Sequence, residues 1–76
     1  MSLDYRAFYN DVVDWIYQSQ EVERLKGFGT EEYMDWIVQS VVQICEKYND
    51  DKFVQKQMCM LWQHIDDAVR KQVGSE

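Results

Sequence analysis

Apolar residues recur every three or four positions through most of this chain, in three segments separated by short polar stretches. A residue advances about 100° around an α-helix, so apolar residues with this spacing collect on one side of a helix. Strict alternation of apolar and polar residues, which is typical of a half-buried strand, extends over no more than a few positions. The pattern therefore predicts an all-α fold with helices over about residues 3–26, 31–48 and 52–72.

Residues that begin and end helices fall between these segments. Ser2 and Thr30 are predicted to cap the first two helices, because a hydroxyl in this position accepts a hydrogen bond from an unpaired backbone amide. Gly27 and Gly74 are predicted helix terminators, since glycine readily adopts the left-handed conformation that closes a helix. Asn49-Asp50-Asp51 forms a polar connection that holds the cap of the third helix. Connections of about three residues favour a small antiparallel three-helix bundle.

The predicted core consists of one apolar row on each helix. The first helix contributes Tyr5, Phe8, Tyr9, Val12, Trp15, Ile16 and Ser19, with Val13 and Val22 at the margins. The second contributes Tyr33, Met34, Ile37, Val38, Val41, Val42, Ile44, Cys45 and Tyr48. The third contributes Val54, Met58, Leu61, Trp62, Ile65, Ala68 and Val69. The second row covers about half of its helix, which predicts that this helix lies in the centre and packs on both sides.

A six-residue sequence occurs twice, at residues 14–19 and 35–40, in the first two predicted helices. The two copies, DWIYQS and DWIVQS, agree at five of six positions. Either a helix was duplicated or two amphipathic helices converged on the same residues, and the sequence leaves both explanations open. A single pair is too short for a repeat array, which needs at least about three units.

Length and cysteine content limit the architecture further. With 76 residues the chain has room for one core, so a single helical domain over residues 1–76 is expected. Cys45 and Cys59 are too few for a disulfide framework and lack the C-x-x-C spacing of metal and redox motifs. No secretory signal precedes them, and no apolar run approaches the roughly 20 residues of a membrane helix. These features predict a cytoplasmic protein with reduced thiols.

The charge of the chain is strongly asymmetric. The net charge is −6, with ten acidic and four basic residues before position 51 and four of each from position 51 onward. Such a field opposes binding to phosphate backbones and anionic lipids, so neither nucleic acid nor membranes are expected as partners. The acidity could simply maintain solubility. Alternatively, the protein is an inhibitor or nucleic-acid mimic that blocks a basic surface of a partner protein through Asp11, Asp14, Glu21, Glu31, Glu32 and Asp35.

Residues that could carry catalysis or hold a metal are few or wrongly spaced. His64 is the only histidine, which excludes most histidine-based metal sites. Cys59 lies about 140° around the same helix from His64, and Cys45 belongs to an apolar row, where a free thiol behaves as a small hydrophobe. Adjacent carboxylates such as Asp66 and Asp67 diverge around a helix, and the third helix lacks the basic face of a DNA reader. We therefore expect no enzyme activity and no catalytic, cofactor or metal site.

Large side chains outside the apolar rows are the positive functional signal. Tyr17 lies opposite the row of the first helix, and Trp36 lies about 60° outside the row of the second. Phe53 and Met60 stand seven positions apart on the third helix, with His64 beside them. In one interpretation these side chains fold over the edge of a small core; in the other they form an interface, where aromatic residues and Met are enriched. The second interpretation predicts a non-enzymatic protein–protein interaction or regulatory module that binds a protein partner, or a second copy of itself as a homodimer.

Overall fold

The computed structural model describes residues 3–74, with side chains described for residues 3–72. Over this range the chain forms three α-helices and no strand. Helix α1 spans Tyr5–Lys26, α2 spans Glu31–Lys47 and α3 spans Lys52–Gly74. The predicted all-α three-helix architecture is confirmed, and each boundary lies within two residues of its predicted place.

Helix α1 begins slightly later than predicted. Its N-cap is Asp4, whose carboxylate accepts a hydrogen bond from the Ala7 backbone amide at 3.1 Å. Aspartate caps helices as well as serine does, and its negative charge is also favoured at the positive end of the helix dipole. The helix therefore starts at Tyr5 rather than at residue 3, and the predicted cap, Ser2, lies outside the described residues.

The remaining predicted caps are formed by the expected residues. Gly27 follows α1 with a φ of 93°, and its N–H closes the last turn with a hydrogen bond of 2.8 Å. The Thr30 hydroxyl accepts from the Tyr33 backbone amide at 3.2 Å. The Asp51 carboxylate accepts from the Phe53 amide at 2.8 Å. These contacts satisfy backbone groups that the helices themselves leave unpaired.

The ends of α2 and α3 differ from the prediction. Helix α2 ends at Lys47, and the chain turns through Asn49 and Asp50, whose φ values of 57° and 56° lie in the left-handed region. Asn and Asp tolerate this region better than other residues with a Cβ. Helix α3 continues through Gly74, which was predicted to terminate it. Glycine disfavours a helix by about 1 kcal/mol but does not by itself end one.

Helix α2 lies in the centre of the bundle, as its broad apolar row predicted. It packs against both α1 and α3, whereas α1 and α3 make few contacts with each other. The fully buried core is formed by Phe8, Val12, Trp15, Tyr33, Ile37, Val54 and Met58. Helices α1 and α3 are thus held side by side mainly by their packing on α2.

Polar contacts fix α1 against α2 in the antiparallel direction. Near the beginning of α1, the Asp11 carboxylate accepts hydrogen bonds from Lys47 Nζ at 2.8 Å and from the Tyr48 hydroxyl at 2.5 Å. Further along, Trp15 Nε1 donates to Ser40 Oγ at 2.7 Å. The start of one helix therefore meets the end of the other.

The two copies of the repeated six-residue sequence have equivalent local structures. Ser19 and Ser40 each donate a hydrogen bond to the carbonyl three residues earlier, at 2.7 and 3.0 Å. The rings of Trp15 and Trp36 stack with their centroids 6.0 Å apart. The repeated segments therefore pack on each other in the seam between α1 and α2.

Aromatic rings join α1 to α3 at the beginning of both helices. The Phe8 ring lies at the centre, 5.6 Å from the Tyr48 ring and 6.1 Å from the Phe53 ring, measured between centroids. Phe53 also contacts Tyr5 and Tyr9, at 5.3 and 6.3 Å. We refer to these five residues as the aromatic cluster.

Candidate functional site

The five residues predicted as an interface are not brought to one surface. Tyr17 and Met60 are well exposed, and so is His64. Trp36 is half-buried by its stacking on the tryptophan of the other repeat copy, and Phe53 is half-buried in the aromatic cluster. These two rings reach sideways over the edge of the core, because a small bundle leaves the flanks of its apolar rows open. They belong to the packing of the chain, and Tyr17, Met60 and His64 lie on its surface.

The six carboxylates predicted as an acidic surface are partly engaged within the chain. Hydrogen bonds from Lys47 and then from Tyr48 hold the pKa of Asp11 below its usual value. Glu21 and Glu32 form ion pairs with cations of the same chain. Of these six carboxylates, Asp14, Glu31 and Asp35 are exposed and have no such partner within residues 3–72. Half of the predicted set is therefore neutralised locally.

A groove opens between α1 and α3 beyond the aromatic cluster, with a cavity of about 370 Å³. Its apolar wall is formed by Trp15, Ile16, Phe28, Leu61, Ile65 and Ala68. Its polar lining comes from Ser19, Gln20, Glu23, Tyr33 and His64. The groove exists because α1 and α3 both pack on α2 while few contacts draw them towards each other. We refer to this cavity and its rim as the α1/α3 groove.

Exposed apolar side chains lie on the helix faces that border the α1/α3 groove, and we refer to them as its rim. Ile16 lines the cavity itself; Tyr9 and Val13 lie seven and three positions from Ile16 on α1, and Met60 lies four positions from the lining residue His64 on α3. Tyr9, Val13 and Ile16 on α1 are 44%, 49% and 37% exposed, and Met60 on α3 is 56% exposed. The three α1 residues were predicted to lie in the core row or at its margin. The structure leaves them open, because that row spans about 160° from Trp15 to Val13, more than a single partner helix covers. This width is the sequence signal that could have identified the rim.

Charged residues flank the rim on both helices. The flanking cations are Arg6, Arg24, Lys56 and Lys71. The nearby carboxylates are Glu21, which pairs with Arg24, Glu23, which lines the cavity, and Asp67. Arg6 and Arg24 lie seven and eleven positions from Val13, so they share its side of α1. Lys71 lies eleven positions from Met60 and shares its side of α3. The rim is therefore more basic than the rest of a chain whose net charge is −6.

Tyr33 forms part of the floor of the α1/α3 groove. It is 2% exposed, and its ring lies 5.3 Å from the Phe28 ring. Burial raises the pKa of Tyr33, and the nearby charge of Glu23 raises it further. The Tyr33 hydroxyl has no hydrogen-bond partner within residues 3–72. Among residues 3–72 the buried polar atom without a hydrogen-bond partner is Trp62 Nε1, so the Tyr33 hydroxyl is accessible to solvent from the groove.

A second apolar strip lies between α2 and α3. Its shallow cavity of about 170 Å³ is lined by Val38, Val41, Val42, Cys59 and Trp62. Val38 and Val42 are 46% and 48% exposed, although both were predicted to lie in the core row. On α2 this strip is bordered by acidic residues, since Asp35 and Glu46 lie seven and four positions from Val42. We refer to it as the α2/α3 strip.

The cysteines and His64 do not line a common cavity: His64 lines the α1/α3 groove, whereas Cys59 lines the α2/α3 strip. Both cysteines are free, and burial, followed by the nearby Cys59, raises the pKa of the Cys45 thiol. A raised thiol pKa lowers the fraction of nucleophilic thiolate. Within residues 3–74 no group of three or more His, Cys, Asp or Glu side chains could hold a metal ion. No helix in that range is both long and apolar enough to cross a membrane.

The chain was compared with protein-family models, curated proteins and solved structures, and none of them matches. The groove, the strip and the distribution of charge are therefore the basis on which a function is inferred.

Proposed function

We propose that this protein is a non-enzymatic protein–protein interaction module that binds its partner through the α1/α3 groove. The observation that supports the proposal is the exposed apolar rim, formed by Tyr9, Val13, Ile16 and Met60 beside an open cavity. Protein interfaces are enriched in Tyr and Met, and the exposed side chains beside the cavity include one of each, Tyr9 and Met60. The two free cysteines agree with a cytoplasmic setting for the interaction.

The rim alone would support only weak binding. A fully buried Val or Met side chain gains about 1.5–3 kcal/mol relative to an exposed one, so a half-exposed rim residue gains roughly 1 kcal/mol when a partner covers it. Four such residues supply on the order of 4 kcal/mol, which is close to the lowest entropic cost of association. A stable complex therefore also needs side chains that enter the cavity.

The alternative function, an acidic inhibitor or nucleic-acid mimic, has less support. Asp11, Glu21 and Glu32 are held by cations of the chain itself. Asp14 and Asp35 lie on different helices, α1 and α2. A mimic of nucleic acid needs a continuous row of available negative charge, and these carboxylates provide separate groups.

Two matched substitutions test the proposal. Val13→Glu places a charge on the rim of the groove, and Val42→Glu places the same charge on the α2/α3 strip; the two valines are 49% and 48% exposed. Both variants should remain folded by circular dichroism, because neither valine lies in the core. Each protein is immobilised on a resin and exposed to a lysate of the source organism, and the captured proteins are identified by mass spectrometry. The oligomeric state of each free protein is measured by sedimentation equilibrium.

We expect the native chain and the Val42→Glu variant to bind the same partner, or to self-associate. The Val13→Glu variant should lose this binding. Binding that depends on Val42 instead would move the site to the α2/α3 strip. A monomer that captures nothing in either form would refute the proposed function.

A further inference from the structure

We infer that the partner protein inserts a basic side chain, lysine or arginine, into the α1/α3 groove, and that the cation of this side chain lies beside Glu23. The inference rests on the proposed function and adds the chemistry of the side chain that enters the cavity. Three features of the cavity support it: the charge of its lining, the buried oxygen atoms near Glu23, and its apolar walls.

The lining of the cavity contains one carboxylate, Glu23, and no lysine or arginine. Glu23 forms no ion pair and no side-chain hydrogen bond within residues 3–72. The flanking cations lie outside the lining, and one of them, Arg24, is already paired with Glu21. His64 also lines the cavity, but it lies on α3, whereas Glu23 lies on α1. The α1 side of the cavity therefore presents a negative charge that is available to a cation.

Two buried side chains provide further oxygen atoms near Glu23. Ser19 is 8% exposed and lies one helical turn before Glu23 on α1. Its hydroxyl donates its hydrogen to the Ile16 carbonyl at 2.7 Å, so its oxygen can still accept a hydrogen bond. Burial raises the pKa of Tyr33 and the charge of Glu23 raises it further, which indicates that the carboxylate is close to this phenol. Ammonium and guanidinium groups have several donors and no acceptor, so they match such a set of oxygen atoms.

The apolar walls suit the aliphatic stem of a basic side chain. Ile16 on α1 and Leu61 and Ile65 on α3 line the cavity from both sides. Ile16 lies seven positions before Glu23, which is about 10 Å along the helix. Lysine and arginine bury their methylene groups against apolar surface while the charged end remains at a polar site. A basic side chain can therefore contact the apolar walls and reach Glu23 at the same time.

Other side chains match the cavity less well. A partner that closed the cavity with an apolar side chain would remove water from Glu23 and leave its carboxylate without a partner, which is costly. An acidic side chain would add a second negative charge beside it. A separate basic protein also matches the net charge of −6 better than a second copy does, since two copies of this chain repel each other.

Three six-carbon probes test the chemistry of the cavity. Hexylammonium, 1-hexanol and hexanoate share an alkyl stem and differ in the charge of the head group. Each probe is titrated into the full chain at low salt, and binding is followed by NMR through the methyl resonances of Ile16, Leu61 and Ile65, which line the cavity. We expect hexylammonium to bind roughly threefold to tenfold more tightly than 1-hexanol, and hexanoate to bind most weakly.

A matched pair of variants assigns the preference to one carboxylate. Glu23→Gln and Glu31→Gln make the same change of charge, and Glu31 is an exposed residue of α2 outside the cavity lining. Both variants should remain folded by circular dichroism, because neither glutamate is buried. In Glu23→Gln the preference for hexylammonium over 1-hexanol should fall to roughly twofold or less, whereas Glu31→Gln should retain it.

The protein that the native chain captures from lysate connects the cavity to the partner. Glu23→Gln should capture less of this protein than Glu31→Gln does. Hexylammonium, at a concentration that saturates the cavity, should release the captured protein, and 1-hexanol at the same concentration should release less of it. Both effects are expected because the probe and the basic side chain of the partner compete for the same carboxylate.

The outcomes that overturn the inference are distinct from those that overturn the proposed function. Equal binding of hexylammonium and 1-hexanol, or a preference that Glu23→Gln leaves unchanged, refutes the basic side chain, and the proposed groove stands if capture still depends on Val13. A captured protein that Glu23→Gln retains and hexylammonium does not release refutes it as well. Self-association that hexylammonium disrupts overturns the separate partner, because a second copy then supplies the cation. A chain that captures nothing and remains a monomer refutes both the inference and the proposed function.

Discussion

The contact of Asp11 with the end of α2 makes a quantitative prediction about stability. Lys47 Nζ and the Tyr48 hydroxyl donate to the same carboxylate oxygen, at 2.8 and 2.5 Å. Asp11→Asn keeps the shape of the side chain and removes its charge. A hydrogen bond to a charged group contributes about 1.5–3 kcal/mol and a neutral one about 0.5–1.5 kcal/mol, while an exposed ion pair such as that of Lys47 adds about 0.2–1 kcal/mol. We expect Asp11→Asn to lower the free energy of unfolding by about 1–2 kcal/mol.

The same contact predicts a dependence of stability on pH. The hydrogen bonds from Lys47 and Tyr48 lower the pKa of Asp11 in the folded chain from its ordinary value of 3.8. A carboxylate with a lowered folded-state pKa stabilises the fold above its unfolded-state pKa, and this contribution is lost as pH falls through the folded-state pKa. The advantage of the native chain over Asp11→Asn should therefore disappear as pH is lowered from about 5 to about 2.

Urea denaturation followed by circular dichroism measures both effects. The control is Asp14→Asn, because Asp14 is exposed and has no hydrogen bond or ion pair within residues 3–72. This variant should change the free energy of unfolding by no more than about 0.5 kcal/mol. If both variants lost the same free energy of unfolding, the cause would be the loss of a negative charge anywhere on α1, and not the loss of the contact with α2. A loss in Asp11→Asn that persists at about pH 2 would refute the role of the ionised carboxylate.

Three further predictions concern the core, the connection between α1 and α2, and the Tyr48 hydroxyl. Met58→Ala should lower the free energy of unfolding by about 2–5 kcal/mol because Met58 is 0% exposed, whereas Met60→Ala should change it by less than about 0.5 kcal/mol; urea denaturation compares the two. Gly29→Ala should destabilise by about 1–3 kcal/mol, since Gly29 has a φ of 82° and an added Cβ would lie 3.2 Å from a Val69 methyl; an unchanged thermal midpoint would contradict this. Burial, and then the hydrogen bond to its carboxylate partner, raises the pKa of Tyr48 from 10.0 to about 12. Stability should therefore fall as pH rises from about 10 to about 12, and in Tyr48→Phe this fall should be smaller by the Tyr48 contribution.

The positions of the helices could be predicted because they depend on interactions within a few residues. Backbone groups at a helix end must be satisfied by neighbouring atoms, and Gly27, Thr30 and Asp51 have the chemistry to do so. The start of α1 shows the limit of this reasoning. Asp4 and Ser2 are good caps only two positions apart, and the small difference in free energy between them cannot be judged from residue type alone.

The central position of α2 also followed from the sequence, through the width of its apolar row. The exposure of the side chains at the margins of the apolar rows could not be predicted in this way. Val42 on α2 and Val13 on α1 were assigned to apolar rows, yet each is about half exposed. Conversely, Phe53 was assigned to an exposed patch, and its ring packs in the aromatic cluster. An apolar side chain at the margin of a row is covered only if a neighbouring helix lies beside it, and that depends on the distance between two helices.

The sequence by itself therefore determined three helices, the caps at Gly27, Thr30 and the Asn49-Asp50-Asp51 connection, and the central position of α2. Only the tertiary structure decided the α1/α3 groove and the contact between Asp11 and Tyr48, which lie 37 positions apart in the chain. The physical reason is the range of the interactions. Periodicity describes the surface of one helix, whereas a groove is the space left where two helices, each held by a third, do not close on each other.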